Sequence, residues 1–354
     1  MSDRQQLADS VSRPEASDVD SDGTGEASAP APRRRRGRRI ALIVLLVVAL
    51  LAGGGVLAGG LYYRSVNSSI DRVDAFTEVP EESRPQVVTK GAMNIMILGS
   101  DSRDPENTGG SRSDTIILAH LPKDRSSAQL ISIPRDTWTN VPRSRQGRGG
   151  RDAKINAAYA WGGVPLMVQT VERFTGVRID HVAMVDFAGF KEIVDALGGI
   201  NVDVEKSFTS IHPPFRTFSP GRQRMDGEAA LDYSRQRKQF ADGDFARIRH
   251  QQQVIRAILD KAASGGVLAN PGRLNSFVKA TSNAVAVDKS LSLLDLAMEL
   301  RGLRSGNLTF VTCPVQGTGR VGGESVVFAD RSRARTLFDA VSRDSVPDIV
   351  AAGK

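Results

Sequence analysis

The chain has 354 residues, 40% of them hydrophobic and 25% charged, with a formal net charge of +7. That composition supports one large folded unit with a real core and excludes a wholly disordered or collagen-like chain. The single cysteine, Cys313, excludes an internal disulfide and argues against thiol or metal–thiolate chemistry.

Residues 1–39 are rich in Ser, Asp, Pro and Arg and nearly free of large apolar residues, so they read as a disordered tail. From Ile40 to Tyr63 there are 24 residues without a charge, long enough for a transmembrane helix. A cleaved signal peptide fits less well, because the leader is long and no A-x-A-like site closes the run. Arg33, Arg34, Arg35, Arg36, Arg38 and Arg39 abut the start of that segment, while Arg64 and Arg72 beyond it are balanced by Asp71 and Asp74. The positive-inside rule then puts the N-terminus in the cytoplasm and the C-terminal domain outside, in a single-pass arrangement at the cell membrane. The arginine run reads as a topology and anionic-lipid signal and not as a nucleic-acid tail.

Residues 1–39 hold eight basic and seven acidic residues, which leaves +6 beyond the apolar segment. A basic external surface suits lipid head groups, phosphates and acidic polymers, with no nucleic acid expected. Residues 64–92, with Pro80 and Pro85 among charges, read as a juxtamembrane stalk. The folded domain is expected over 93–345, followed by a short tail over 346–354.

Within it, MNIMIL (93–98), TIILAHL (115–121), QLISI (129–133), IDHVAMVD (179–186), INVDV (200–204), NLTFVTC (307–313) and SVVFAD (325–330) read as strands. Helical spacing marks 155–175, 187–199, 244–262, 290–304 and 331–343. The interleaving predicts an α/β fold with a central mixed sheet flanked by helices. RSRQGRGGRD (143–152) reads as a mobile surface loop, with a basic lip over an anionic ligand as its functional alternative.

Three clusters carry candidate chemistry. GSDSRDPENTGGSRSD (99–114) sits between two strands and offers Asp101 and Asp114 with Arg112, a carboxylate pair suited to a hard divalent cation or simply to a turn. SIPRD (132–136) brings Arg135 and Asp136 to a strand end, where they read as a structural ion pair or a ligand contact; KINAAYAWGG (154–163) adds Lys154 at an expected helix start. In DYSRQRKQFADGDFARIRHQQQ (232–253), Arg235 and Arg237 share one face if 233–237 is extended, and adjacent guanidiniums on one face call for an anion between them. Asp244, Arg247 and Gln251 fall on one stripe of the next helix, while Arg249 and His250 point elsewhere. That stripe reads either as a solvated face with one Asp–Arg pair or as part of an anion site. No nucleophile elbow, zinc spacing or Walker A loop is present.

GSDSR, RSDT, SIPRD, KINAAYAWGG, DALGGINVDV, and YSRQR followed by GDFARIRHQQ resemble, in order and wording, the LytR-CpsA-Psr family over roughly residues 93–263. The resemblance implies a membrane-anchored, extracytoplasmic phosphotransferase of the bacterial envelope. Such enzymes move a glycopolymer from a polyprenyl pyrophosphate carrier to peptidoglycan, leaving a phosphodiester. It further implies Asp101 and Asp114 as the carboxylates for Mg2+ (or Mn2+). Arg112, Arg135, Lys154, Arg235, Arg237 and Arg247 would be pyrophosphate-contacting residues, with Asp244 and Gln251 in support. Many relatives carry Arg where this chain has His250. A sheltered groove for the lipid is also implied, with the apolar residues of 164–174, 187–197 and 254–259 as candidate lining. The alternatives are a polyprenyl-pyrophosphate hydrolase and a non-catalytic envelope polymer receptor or regulator.

Overall fold

The computed structural model describes residues 64–346, apart from residue 66, residues 101–112, residue 269 and residues 301, 302 and 304. The 1–39 tail, the apolar segment 40–63, nearly all of the 346–354 tail, and Asp101 and Arg112 lie outside the described residues. Among the described residues no helix is long and apolar enough to cross a membrane.

The first strand, β1 (Asp71–Val73), is followed by β2 (Met93–Ser100), β3 (Ser113–Leu121), β4 (Ala128–Ser132), β5 (Trp138–Val141) and β6 (Arg151–Lys154). Helix α1 (Ala157–Thr175), β7 (His181–Asp186), α2 (Phe187–Ala196), β8 (Ile200–Val204), β9 (Phe208–Thr209), β10 (Thr217–Phe218) and β11 (Gly221–Met225) come next. Then follow α3 (Gly227–Arg235), α4 (Asp244–Ala262), α5 (Pro271–Ala284), β12 (Val285–Asp288), α6 (Leu293–Glu299), β13 (Leu308–Thr312), β14 (Val315–Val321), β15 (Glu324–Ala329) and α7 (Arg331–Ser342). The central sheet is mixed, in the order β1-β12-β7-β2-β3-β4-β13. Pairing is parallel at β1–β12, β7–β2 and β4–β13 and antiparallel at β12–β7, β2–β3 and β3–β4. The expected α/β architecture is therefore observed.

The alternation of β2 sends Met96 and Leu98 to one face and Ile95 and Ile97 to the other. On the first face they join Ile116, Leu118 and Ile131 under α1 and α7, with Met167, Val171 and Phe338 fully buried. On the second face Ile95 and Ala119 pack below Leu296 of α6. A separate cluster joins α2, α3 and α4 through Val194, Ala230, Tyr233 and Val254 and rests on Ile200 and Val202 of β8. Two glycines set how closely these helices meet. A Cβ at Gly227 would lie 2.5 Å from the carbonyl oxygen of Lys191 in α2, and one at Gly189 would lie 2.6 Å from that of Ala284 in α5.

Several expectations shift. The fold starts well before Met93: β1 forms the sheet edge, and Ile70, Val73, Ala75 and Val79 are buried. Arg84 reaches buried Glu172 of α1 at 2.8 Å, donates to the carbonyl of Ile179, and lies over the Phe76 ring. A buried pair of this kind fixes register because neither partner can leave alone without stranding a charge. Helix α1 is broken at Gly162 and Gly163, the latter at φ 63°, just before Pro165, which has no N–H to continue the ladder. INVDV is a strand as expected, but it pairs with β11 outside the central sheet. The Arg- and Gly-rich segment 143–152 is a shaped β5–β6 connection, closed by Ser144 N–H to Arg148 O and Gly150 N–H to Val141 O.

Candidate functional site

The carboxyl ends of parallel β2 and β7 and the start of β3 open onto a cavity of about 440 Å³, roofed by α2, α3 and α4. Ligands in open α/β sheets sit outside such strand ends. Ile97, Gly99, Thr115, Ile117 and Val185 form the floor, and Phe187, Phe190 and Ile193 of α2 form one wall. Helix α4 supplies a single stripe: Arg247, Gln251, Val254, Ile255, Ile258 and Leu259. Positions four, seven, eight, eleven and twelve residues beyond Arg247 share one face, and the stripe runs about 18 Å at 1.5 Å per residue. Its first turn is cationic and its last two turns are apolar. The cavity thus has a charged end and a greasy end on one rigid element.

At the charged end, Arg135, Arg235, Arg237, Lys238 and Arg247 line the wall against the carboxylates of Asp114 and Asp186. Asp244, at the first position of α4, stands behind them with Arg247 at 2.7 Å, Arg237 at 3.6 Å and Arg135 at 4.0 Å. These are ion pairs without hydrogen-bond geometry, since neither Asp244 oxygen meets a donor correctly. Arg135 Nε and Arg247 Nε are likewise buried without a hydrogen-bond partner among the described residues. Arg135 donates through Nη1 to Asp114. Burial first, and then repulsion from Arg247 and Arg237, push the Arg135 guanidinium down to about 10; burial also lowers Arg247, whose exposure is 5%. An anion placed among these groups relieves both penalties and supplies the missing acceptors. Buried, under-bonded guanidiniums at the end of an apolar cavity suit an anionic head on an apolar body.

The structure brings Asp114, Arg135, Arg235, Arg237, Asp244, Arg247 and Gln251 together, as expected, though by another local geometry for the Arg pair. Residues 233–235 are helical because Asp226 caps α3 by accepting from Ala229 N–H; the chain turns extended only at Gln236, the C-cap. Arg235 stacks over Phe187 at 4.7 Å, which holds its planar group at the cavity wall. Lys154 ends β6 and does not begin a helix; α1 starts at Ala157 after Asn156. Its Nζ lies 3.6 Å from Asp136 and 3.3 Å from Glu324, away from the cavity wall. Segment 164–174 does not line the cavity: Val164, Leu166, Met167, Val168 and Val171 belong to the core on the opposite face of the sheet. The other two candidate segments, in α2 and α4, do line it. Ser234 and Lys238 also face the cavity and carried no signal beyond proximity to the arginine motif, and Ile211 and His212, which face it too, carried none.

His250 lies outside the anion shell, as expected from its place on α4. Its ring is stacked on Phe208 and 4.4 Å from Tyr233, with Phe240 edge-on. Burial, assisted by nearby Arg249, pushes its pKa down to about 4. The folded state therefore holds it neutral while the unfolded chain, near 6.5, still binds a proton. Stability should be complete above about pH 6.5 and fall by up to about 3 kcal/mol as pH drops toward 4. Urea titrations between pH 4 and 7 are expected to show that slope, and His250→Phe is expected to flatten it.

A cation fits the described residues only in part. Asp114 presents a carboxylate beside the cationic end, Asp101 is not among the described residues, and no group of three metal-ligating side chains occurs among those described.

The sequence profile of the LytR_cpsA_psr family matches residues 62–343. The chain belongs to that family. Among relatives, the polyisoprenyl-teichoic acid–peptidoglycan teichoic acid transferase TagU of Bacillus mycoides is 36% identical over 227 residues, 63% of this chain and 71% of that protein. TagU of Enterococcus faecalis is 32% identical over 284 residues, 80% of this chain and 89% of its own length. The crystal structure of B. subtilis TagV superposes with a TM-score of 0.61 at 28% identity, covering 73% of this chain and 98% of that one. The family match begins ahead of β1, in keeping with a LytR-CpsA-Psr fold that includes residues 64–92.

Proposed function

We propose that this chain is a phosphotransferase that attaches an envelope glycopolymer, carried on a polyprenyl pyrophosphate, to peptidoglycan. The observation that carries the reading is the α4 stripe, cationic at Arg247 and apolar from Val254 to Leu259, because it matches a pyrophosphate joined to a long apolar chain. The names of the TagU relatives describe the same transfer for teichoic acid. An acceptor hydroxyl attacks the sugar-side phosphorus, a new P–O bond forms, the bridging P–O bond breaks to release polyprenyl phosphate, and the hydroxyl proton passes to solvent or to the departing phosphate. Arg235 and Arg237 hold the transferred phosphoryl group, while Arg135 and Arg247 take up charge that develops on the departing phosphate. No covalent enzyme intermediate is required, which agrees with the absence of a Ser–His pair in the motifs.

Asp114 and Asp101 are proposed to hold Mg2+ or Mn2+, which would neutralise phosphate charge. The segment 40–63 is proposed to anchor the domain on the outer face of the membrane, where such donors reside. Labelling of an introduced surface cysteine in intact cells by an impermeant reagent checks that orientation.

One assay tests the reaction, run with and without peptidoglycan and with and without a chelator. Polymer–peptidoglycan product is expected only with acceptor and cation present. The double variant Arg235→Ala/Arg237→Ala is expected to lose about 10²-fold in transfer at unchanged expression. Lipid phosphate release that ignores peptidoglycan would make the protein a hydrolase, and full activity in the double variant would sink the site assignment.

A further inference from the structure

Strands β9 and β10 form a short hairpin, with Thr209 opposite Thr217 and Phe208 opposite Phe218. Its tip is Ser210–Arg216, closed by Ser210 N–H to Arg216 O and by Phe215 N–H to His212 O. The tip reads SIHPPFR. Seven large hydrophobic side chains are exposed among the described residues; two belong to this tip, Phe215 at 59% and Ile211 at 38%, and a third, Leu259 of α4 at 38%, lines the same cavity as Ile211. Ile211 of the tip and Leu259 of α4 also line the cavity, so an exposed apolar residue of the tip is at the same time part of the cavity lining.

The hairpin is held stiffly to the site. Phe208 and Phe218 stack at 5.0 Å and pack on Tyr233 of α3. Ser210 Oγ donates to buried Asp232 of α3 at 2.6 Å, Gln236 Nε2 donates to Ser210 Oγ, and Ile211 N–H donates to Gln236 Oε1. Two residues of that network flank Arg235. Arg216 belongs to the tip, Lys206 stands two residues before β9 and Lys238 lies beside His212, against Glu205, which accepts from Gln253; Asp242 is taken up by Arg249 at 2.5 Å. An apolar tip ringed by excess positive charge is the pattern of a surface that seats in an anionic bilayer interface, with rings in the acyl boundary and cations among head groups.

We infer that the Ser210–Arg216 hairpin tip docks into an anionic lipid leaflet and forms the mouth through which a membrane-held lipid chain passes into the cavity without crossing water. Docking is a property of the surface; only its consequence for turnover rests on the proposed transfer. The apolar segment 40–63 bars vesicle binding as a test, because it is expected to hold the full chain on lipid whatever the hairpin does.

The decisive experiment reads depth at the tip. Cys313 is 1% exposed with its thiol pushed up to about 12, so a cysteine introduced by Phe215→Cys labels selectively with an environment-sensitive dye. The full chain in phosphatidylglycerol-containing nanodiscs is expected to show quenching by shallow spin-labelled lipids at least about twofold above that of a Ser332→Cys control on the exposed side of α7. Equal quenching at the two sites overturns the proposal. Phe215 sits at φ 59°, a conformation Asp adopts readily, so Phe215→Asp removes the ring without adding strain. That variant is expected to lose about tenfold in transfer from a long-chain donor in vesicles while keeping transfer from a short-chain soluble donor. Equal loss on both donors overturns the docking role. Should the wild type turn over neither donor, the transfer reading fails and the quenching comparison still decides the docking.

Discussion

Arg247→Ala is expected to lower transfer by about 10³-fold, the largest single loss in the site. Arg247 is 5% exposed, 2.7 Å from Asp244, and the first member of the α4 stripe. A guanidinium already stripped of water costs little to reorganise when charge builds on a leaving phosphate, and its fork matches two phosphate oxygens at once. Arg247→Lys keeps the charge but loses the fork, so it should recover only part of the rate. Single-turnover assays alongside thermal melts check the claim: the alanine variant should lose rate far beyond any loss of folded protein. A rate within tenfold of wild type would place the chemistry elsewhere.

Asp244→Ala is expected to destabilise the domain by about 3 kcal/mol, because it strands Arg135, Arg237 and Arg247 around an empty position in a mostly buried place. Asp244→Asn, which keeps the shape, should show most of the same loss. Under the proposed transfer the carboxylate would also compete with the donor's phosphates for the same three guanidiniums. Inorganic pyrophosphate should therefore raise the melting temperature of Asp244→Asn more than that of the wild type, by mass action on a site that now lacks its internal anion. Equal shifts in the two proteins would show that Asp244 does not share its partners with the ligand.

The strands of the central sheet were legible because their apolar runs are bounded and alternate: MNIMIL, TIILAHL and QLISI became β2, β3 and β4 with small changes at the ends. The α4 stripe was legible for the same reason, since helical spacing alone puts Asp244, Arg247 and Gln251 together. What spacing does not encode is the partner across a gap. The pairing of Arg135 with Asp114 joins residues 21 apart in sequence, and the stacking of Arg235 on Phe187 joins residues farther apart still. Nor does periodicity say which face of the sheet a helix covers. Segment 164–174 and segment 254–259 look alike as apolar helical patterns, yet one fills the core and the other lines the cavity. The edge strand β1 was missed because three residues, Asp71–Val73, are too few to alternate visibly, and their partner β12 lies more than 200 residues away.

The division of α4 into a charged turn and two apolar turns also bears on how a catalytic cycle ends. In the proposed transfer, polyprenyl phosphate would leave with the same hydrocarbon that the donor brought in, so whatever the apolar residues from Val254 to Leu259 contribute to holding the donor would also hold the product. Only the attraction of one phosphate is lost. On that reading product departure would be the slow event of the cycle and the spent carrier a competitor for the next donor, while a polymer fixed to an insoluble wall would not return to drive the reaction backwards.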